Sequence, residues 1–211
     1  MVNKMSKYKT EQEAFWAGEF GNDYIDRNKH QQLISGNIVL FSKILAKTSN
    51  VKSIIEFGSN IGNNIDALNM LTPSTELSAI EINSQAYKRL SAKEYVKAYH
   101  TSILDFTPDY QRELAFIKGV LIHISPSELQ NVYESLYNTS SRYICMVEYY
   151  NPTPVEVPYR GHEGKLFKRD FAGEFMDKYS GKVQLVDYGF TYHRDNNFPL
   201  DDSTWFLMEK I

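Results

Sequence analysis

Residues 53–62 read Ser-Ile-Ile-Glu-Phe-Gly-Ser-Asn-Ile-Gly, which sets an acid, Glu56, two residues before a turn bounded by Gly58 and Gly62. Gly58 lets the backbone approach a ligand closely, and the helix predicted to follow offers unpaired N–H groups at its start. A second apolar run, Ala79-Ile80, ends in another acid, Glu81, followed by Ile82 and Asn83. An acid at the tip of the neighbouring strand is placed to accept hydrogen bonds from a ribose diol, so the pair implies an adenosine-type cofactor. A nicotinamide site takes G-x-G-x-x-G with the pyrophosphate on the helix N-terminus, and the glycine spacing here differs. A carboxylate at Glu56 repels a pyrophosphate and suits a ligand with an ammonium group. Charge complementarity therefore points to S-adenosylmethionine, with S-adenosylhomocysteine as product.

Transfer of a sulfonium methyl is an in-line displacement that positioning accelerates, and only a hydroxyl or ammonium acceptor needs a proton removed. The candidate bases are His123, His162 and Glu148, with His193 and Asp170 as further options. His123 either has a structural role, packing over the cofactor or capping the next helix, or faces the methyl group; His162 is either a base or a solvent-facing loop residue. Arg160, Lys168 and Arg169 surround a proline-rich loop, where guanidinium forks can hold a carboxylate or phosphate, or be ordinary surface charge. Tyr149, Tyr150 and Tyr159 either line an acceptor pocket, with cation–π attraction to a sulfonium, or pack at the core's edge. Trp16 and Phe20 lie on an amphipathic N-terminal segment that forms either a water-excluding lid or an anchor.

The elements that must position these residues alternate as in an α/β sheet. Helices are predicted near 10–20 and 30–47, the second with apolar positions at Leu33, Ile34, Ile38, Phe41, Ile44 and Leu45. Strands follow near 53–57, 77–81, 95–99, 113–118, 142–148, 182–188 and 204–209, with helices near 62–71, 84–92, 126–138 and 168–179. Residues 149–165 hold three prolines and two glycines, too many for one continuous element. Residues 1–50 are expected to form a helical cap or lid and 51–211 the sheet domain, together one compact unit.

Composition allows this. A chain of 211 residues buries roughly 70% of its unfolded surface. A formal net charge of −3 argues against a nucleic-acid partner bound by bulk electrostatics. The single cysteine, Cys145, lies in an apolar run and reads as a core thiol. No leader opens the sequence and no apolar run has the length of a membrane span, so a cytoplasmic protein without a membrane partner is expected. No metal-ligand spacing stands out.

The stretch from Glu56 to Gly62 resembles the first motif of class I S-adenosylmethionine-dependent methyltransferases, E/D-x-G-x-G-x-G. Asn60 replaces the middle glycine, and asparagine tolerates left-handed backbone better than other side chains. The resemblance implies a Rossmann-like seven-stranded sheet, mostly parallel with an antiparallel last strand, and helices on both faces. It implies Glu56, Gly58, Ser59, Asn60, Gly62, Glu81 and Ile82 as cofactor residues, with Ser102 and Ile103 at the adenine. Ser102 stands where the family often has an acid. Lys118-Gly119-Val120-Leu121-Ile122-His123-Ile124 resembles the segment that backs the cofactor's methionine end. The strings Glu148-Tyr149-Tyr150-Asn151-Pro152-Thr153-Pro154, Tyr159-Arg160-Gly161-His162 and Phe167 to Glu174, with Thr10 to Gly21 at the front, are similar to the pseudaminic acid biosynthesis-associated methylases. That likeness implies a small sugar or nucleotide-sugar acceptor of bacterial surface-glycan synthesis, with oxygen favoured over nitrogen, and the basic set of Arg160, Lys168 and Arg169 would suit an anionic one. The alternatives are a non-catalytic protein that binds S-adenosylmethionine and, from another class, an NAD-linked oxidoreductase.

Overall fold

The computed structural model describes residues 8–27 and 31–211. Its centre is a seven-stranded sheet of β1 (Ser53–Phe57), β2 (Glu76–Glu81), β3 (Val96–His100), β4 (Arg112–Lys118), β5 (Ser140–Glu148), β8 (Val183–Phe190) and β9 (Thr204–Lys210). The order across it is β3-β2-β1-β4-β5-β9-β8, parallel except for β9, which runs antiparallel to both neighbours. Two short strands, β6 (Val155–Glu156) and β7 (Phe167–Lys168), pair as a separate ribbon. The seven expected strands are all present, each within two residues of its predicted limits.

Alternation along the strands divides the core in two. Ile55, Phe57, Ala115, Ile117, Ile144 and Met146 face α6 (Leu129–Thr139) and α7 (Phe171–Lys178). Ile54, Leu114, Phe116, Cys145 and Val147 face α3 (Gln31–Leu45) and α4 (Asn63–Leu71). The expected start of α3 at residue 30 lies outside the described residues. Leu40, Phe41 and Ile44 of α3 belong to the sheet's own core, so of the N-terminal helices only α1 (Glu11–Ala17) and α2 (Glu19–Arg27) stand apart from it. The helix α5 (Ser84–Leu90) flanks β2 and β3.

Helical limits differ from expectation at several places. The 10–20 helix breaks at Gly18, whose extended backbone ends α1, and α2 runs on to Arg27. Residues 126–128 form a short 3-10 turn on Pro126 before α6. The 168–179 helix begins only at Phe171, because Phe167 and Lys168 pair with Val155 and Glu156, and Asp170 accepts from Gly173 N–H at 2.8 Å as its cap.

Candidate active site

The parallel strands β1, β2 and β4 end at the same edge, and the loops leaving them enclose a cavity of about 220 Å3. Gly58, Ser59 and Asn60 from the β1 turn line it, with Glu81 and Ile82 beyond β2, Ser102 and Ile103 beyond β3, and Lys118 and Gly119 at the end of β4. Open α/β sheets offer their crevice at this edge.

The β1 turn has the backbone that its glycines and asparagine predict. Gly58, Asn60 and Gly62 all have positive φ, at 79°, 51° and 85°. A side chain at Gly58 would also collide with Val120, its Cβ lying 2.7 Å from Cγ2. Gly62 caps α4 in the left-handed region and does not line the cavity. Glu81 ties the turn down: its Oε2 accepts from Asn60 N–H at 2.6 Å, while Oε1 accepts from Asn83 N–H at 2.6 Å. Burial pushes its carboxyl up to about 7 against those bonds. Lone pairs of both oxygens remain for a diol.

Glu56 is not on the wall. It is fully buried beneath the turn, where Oε2 accepts from Ser59 Oγ at 2.6 Å and Oε1 accepts from Asn64 Nδ2 at 2.5 Å. Burial also raises this carboxyl to about 7. Its link to the cavity therefore runs through Asn64, which does line it.

The roof is aromatic and comes from α1 and α2. Trp16 lines the cavity and meets His123 at 4.6 Å and Tyr24 at 5.1 Å between ring centroids. Glu13, buried on the same helix, supplies a carboxylate to the wall that the sequence did not announce. Its Oε2 accepts from the N–H groups of Lys9 and Thr10, and its Oε1 accepts from the hydroxyl of Ser102. The Thr10-x-x-Glu13 spacing is a legible capping box, but nothing local in sequence points it to Ser102. Asn83 holds the roof from below, donating Nδ2 to Trp16 O at 3.1 Å and Asn22 Oδ1 at 2.9 Å.

His123 lines the cavity and is the histidine the fold brings there. Its Nδ1 lies 2.6 Å from Lys165 O. A carbonyl only accepts, so Nδ1 carries the proton and Nε2 keeps the lone pair. Burial lowers its pKa to about 4, which leaves the ring neutral near pH 7.

The remaining candidates sit elsewhere. Glu148 does not reach the cavity, because its carboxylate accepts from the N–H groups of Val120, Leu121 and Ile122 at 3.0, 2.9 and 3.4 Å. That network holds the turn carrying His123. His162 is exposed on the outside of the roof, edge-on to Phe15 at 4.9 Å and Phe20 at 5.6 Å. His193 is exposed and pairs with Asp202 at 2.7 Å. Arg169 pairs with Glu174 at 2.6 Å, and Arg160 is exposed with its guanidinium 5.7 Å from the Tyr159 ring. The basic trio thus does not converge. Tyr159 stands behind His123 at 4.9 Å, Tyr149 lies beside Asp201, which lines the cavity, and Tyr150 is exposed against Phe206.

Among the described residues, three buried side-chain atoms on this wall have no hydrogen-bond partner: Trp16 Nε1, Asn37 Oδ1 and Asn64 Oδ1. Asn37 was legible only as a polar break in the apolar stripe of α3, between Leu33, Ile34 and Ile38, Phe41.

In sequence the chain matches no family model and no curated protein. In structure it is similar to a SAM-dependent methyltransferase from Leishmania major, at TM-score 0.68 and 13% identity over 94% of this chain and 80% of that one. It is also similar to 1,6-didemethyltoxoflavin-N1-methyltransferase of Burkholderia thailandensis with bound 1,6-didemethyltoxoflavin and S-adenosylhomocysteine (TM-score 0.68, 8% identity, covering 94% and 86%). A third likeness is to magnesium protoporphyrin IX methyltransferase of Synechocystis with bound S-adenosylhomocysteine (TM-score 0.66, 10% identity, covering 94% and 98%). At these identities the likeness is one of fold: this chain has the Rossmann-like seven-stranded sheet of S-adenosylmethionine-dependent methyltransferases.

Proposed function

We propose that the chain is a methyltransferase that uses S-adenosylmethionine to methylate a small polar acceptor, a sugar or nucleotide sugar of bacterial surface-glycan synthesis. The observation that carries the cofactor is the pairing of Glu81 with the left-handed turn at Gly58 and Asn60, both on one cavity wall. The residues present fit the group. Gly58 leaves open a backbone approach that a Cβ would crowd, Glu81 has lone pairs for a ribose, and Ile82, Ser102 and Ile103 flank a nucleoside-sized end. A pyrophosphate has less to recommend it, with Glu56 buried directly beneath the turn. The likeness of fold to methyltransferases with bound S-adenosylhomocysteine agrees with this reading.

When bound, the cofactor supplies an electrophilic methyl group. The chain's part is to orient the two reactants, exclude water and take a proton. Trp16, Tyr24 and Glu13 of the α1–α2 cap close the cavity, so the cap works as a lid over residues 51–211. Of the candidate bases, His123 has the position and the free Nε2 lone pair to accept a proton from a hydroxyl acceptor. Glu148 holds its turn in place, and His162 packs on the outer side of the lid. The sugar class, and oxygen over nitrogen, rest on the resemblance of the Glu148–Pro154 and Tyr159–His162 strings. An anionic acceptor draws support from Lys118 on the wall and Lys168 5.1 Å from the Tyr149 ring.

The test is isothermal titration with S-adenosylmethionine, S-adenosylhomocysteine and NAD, alongside Glu81→Ala. Binding of both sulfur ligands with at least about a tenfold loss in the variant is expected, since two charge-assisted bonds to a diol are removed. Methylation of sugar acceptors is then assayed by mass. Binding of NAD alone would overturn the assignment.

A further inference from the structure

The proline-rich segment after β5 folds back on itself as a hairpin. Beyond the β6–β7 pair, Val157 N–H donates to Leu166 O at 2.9 Å, and Glu156 Oε1 accepts from Gly164 N–H at 2.5 Å. At the tip, Tyr159 and His162 exchange two backbone hydrogen bonds, of 2.8 and 2.9 Å, around Arg160 and Gly161 at φ 51° and 84°. Positive φ at both central residues marks the tight two-residue turn that paired strands favour. The hairpin stands between α1 and His123 and is bonded to both. On one side Gln12 Nε2 donates to Gly164 O at 2.9 Å, Lys165 Nζ pairs with Glu11 at 3.2 Å, and His162 meets Phe15 edge-on at 4.9 Å. On the other, Lys165 O accepts from His123 Nδ1 at 2.6 Å, and the Tyr159 ring lies 4.9 Å from the imidazole. The bond to α1 and the bond to His123 thus sit on consecutive carbonyls. Among the described residues the Lys165 carbonyl is the ring's one hydrogen-bond partner. An imidazole that loses it is free to carry its proton on Nε2, where no lone pair is left to take a proton from a substrate hydroxyl.

We propose that Gln12 is a positioning residue for His123. By fixing the Gly164–Lys165 corner to α1, it holds the Lys165 carbonyl against Nδ1 and keeps the ring in the tautomer whose Nε2 is free. Closing the lid and setting the tautomer of the base are then one event. The hairpin carries the lid's position to a residue that the lid's own polar side chains do not bond. The proposal rests on the reading of His123 as the base and deepens it by assigning what sets that base.

The experiment is histidine-selective NMR of the full chain at pH 8, with heavy nitrogen in the imidazoles, and it needs neither cofactor nor substrate. Nitrogen shifts separate a protonated ring nitrogen from a bare one, and His123→Gln identifies the signals among the five histidines. The wild-type chain is expected to carry the His123 proton on Nδ1, in slow exchange with water. Gln12→Leu and Gln12→Glu both remove the donor to Gly164 O. Each is expected to speed exchange of the Nδ1 proton about fivefold and to raise the Nε2–H form by the same factor, the worth of one neutral hydrogen bond. Gln12→Lys keeps a donor and is expected to stay within about twofold of wild type. Gly161→Val disturbs the hairpin from its tip, since a β-branched residue resists positive φ, while a Cβ there meets nothing within 4 Å and Gly161 does not line the cavity. It is expected to speed the same exchange about tenfold. Each variant is first checked for a cooperative melting transition. A wild-type ring protonated on Nε2, or exchange unmoved in the Gln12 variants that lose the donor, overturns the proposal and leaves the cofactor reading standing. The cofactor reading fails by a different observation, the absence of binding in the titration of S-adenosylmethionine.

Discussion

Removing the Glu13 carboxylate should unlock the lid without unfolding the sheet. Its two oxygens hold different parts of the structure. Oε2 closes the capping box on Thr10 at 3.1 Å and also accepts from Lys9 N–H at 2.7 Å, and Oε1 accepts from the Ser102 hydroxyl across the cavity. A lost helix cap costs about 1 kcal/mol. A buried hydrogen bond to a charged group is worth about 2 kcal/mol. The sum, about 3 kcal/mol, corresponds to roughly a 100-fold shift in an opening equilibrium. Little else in α1 is buried, and in α2 only Gly21 and Ile25 are, so the shift should appear as local opening and not as loss of the core. Native-state hydrogen exchange read by mass spectrometry on the peptide covering 8–27 is the assay. In Glu13→Ala the α1 amides should exchange about 100-fold faster, whereas those of β1, β4 and β5 should keep their protection. Glu13→Gln retains an acceptor at the cap and one for Ser102, and should fall between the two. Unchanged exchange in α1 would show that aromatic packing around Trp16 alone holds the lid. Acceleration throughout the sheet would show that α1 and the core open as one unit.

Two further expectations concern stability. Glu56, Glu81 and Glu148 are each raised to about 7 by burial, so the folded, ligand-free chain holds protons there that the unfolded chain has already released. Stability must then fall as pH rises through about 7, and melting should be higher at pH 6 than at pH 8 by calorimetry. The opposing effect of His123, lowered to about 4 by burial, begins only below its unfolded value near 6.5. A flat profile over that range would contradict the burial of these acids, and Glu56→Gln should reduce the slope. Arg112 lies at the opposite edge of the sheet from the cavity, completely buried, donating to Asp109 at 2.6 Å, Tyr99 Oη at 2.6 Å and Ser78 Oγ at 3.1 Å. Arg112→Ala should cost about 3 kcal/mol, or roughly 6–10 °C in melting temperature, with ligand affinity unchanged; a loss below a degree would refute its structural weight.

The sheet was legible because its signal is repeated. The central strands β1, β2, β4 and β5 are apolar runs such as Leu114 to Ile117 or Tyr143 to Val147, largely buried and bounded by turn residues, so one weak boundary does not upset the order. The proposed lid was half legible. Trp16 and Phe20 mark an amphipathic segment, and Gly18 between them is a poor helix former, but a single glycine is tolerated inside many helices, so the break shows only in the fold. Residues 149–165 read as too proline-rich for one continuous element. The ribbon of two residues on each side is too short to leave a period in the sequence.

Among the charged residues, what the sequence shows is the existence of an acid; what it hides is the acid's neighbour. Glu56 and Glu81 both end apolar runs, and both read as ligand contacts. In space Glu81 reaches the cavity edge, while Glu56 is held one layer down by Ser59 and Asn64, which turns it from a contact into the group that aims one. Glu148 follows the same logic. Its three backbone partners lie 26 to 28 residues away in sequence, so a base candidate becomes the support of His123. Arg169 is the reverse case: its partner Glu174 lies five residues ahead, a pairing that the sequence already displayed. Carboxylates are satisfied by whatever N–H groups the fold brings to them, and those bonds cross between strands and loops. Asn37 and Asn64, whose Oδ1 atoms have no partner among the described residues, are therefore the polar groups on this wall that the described fold leaves open.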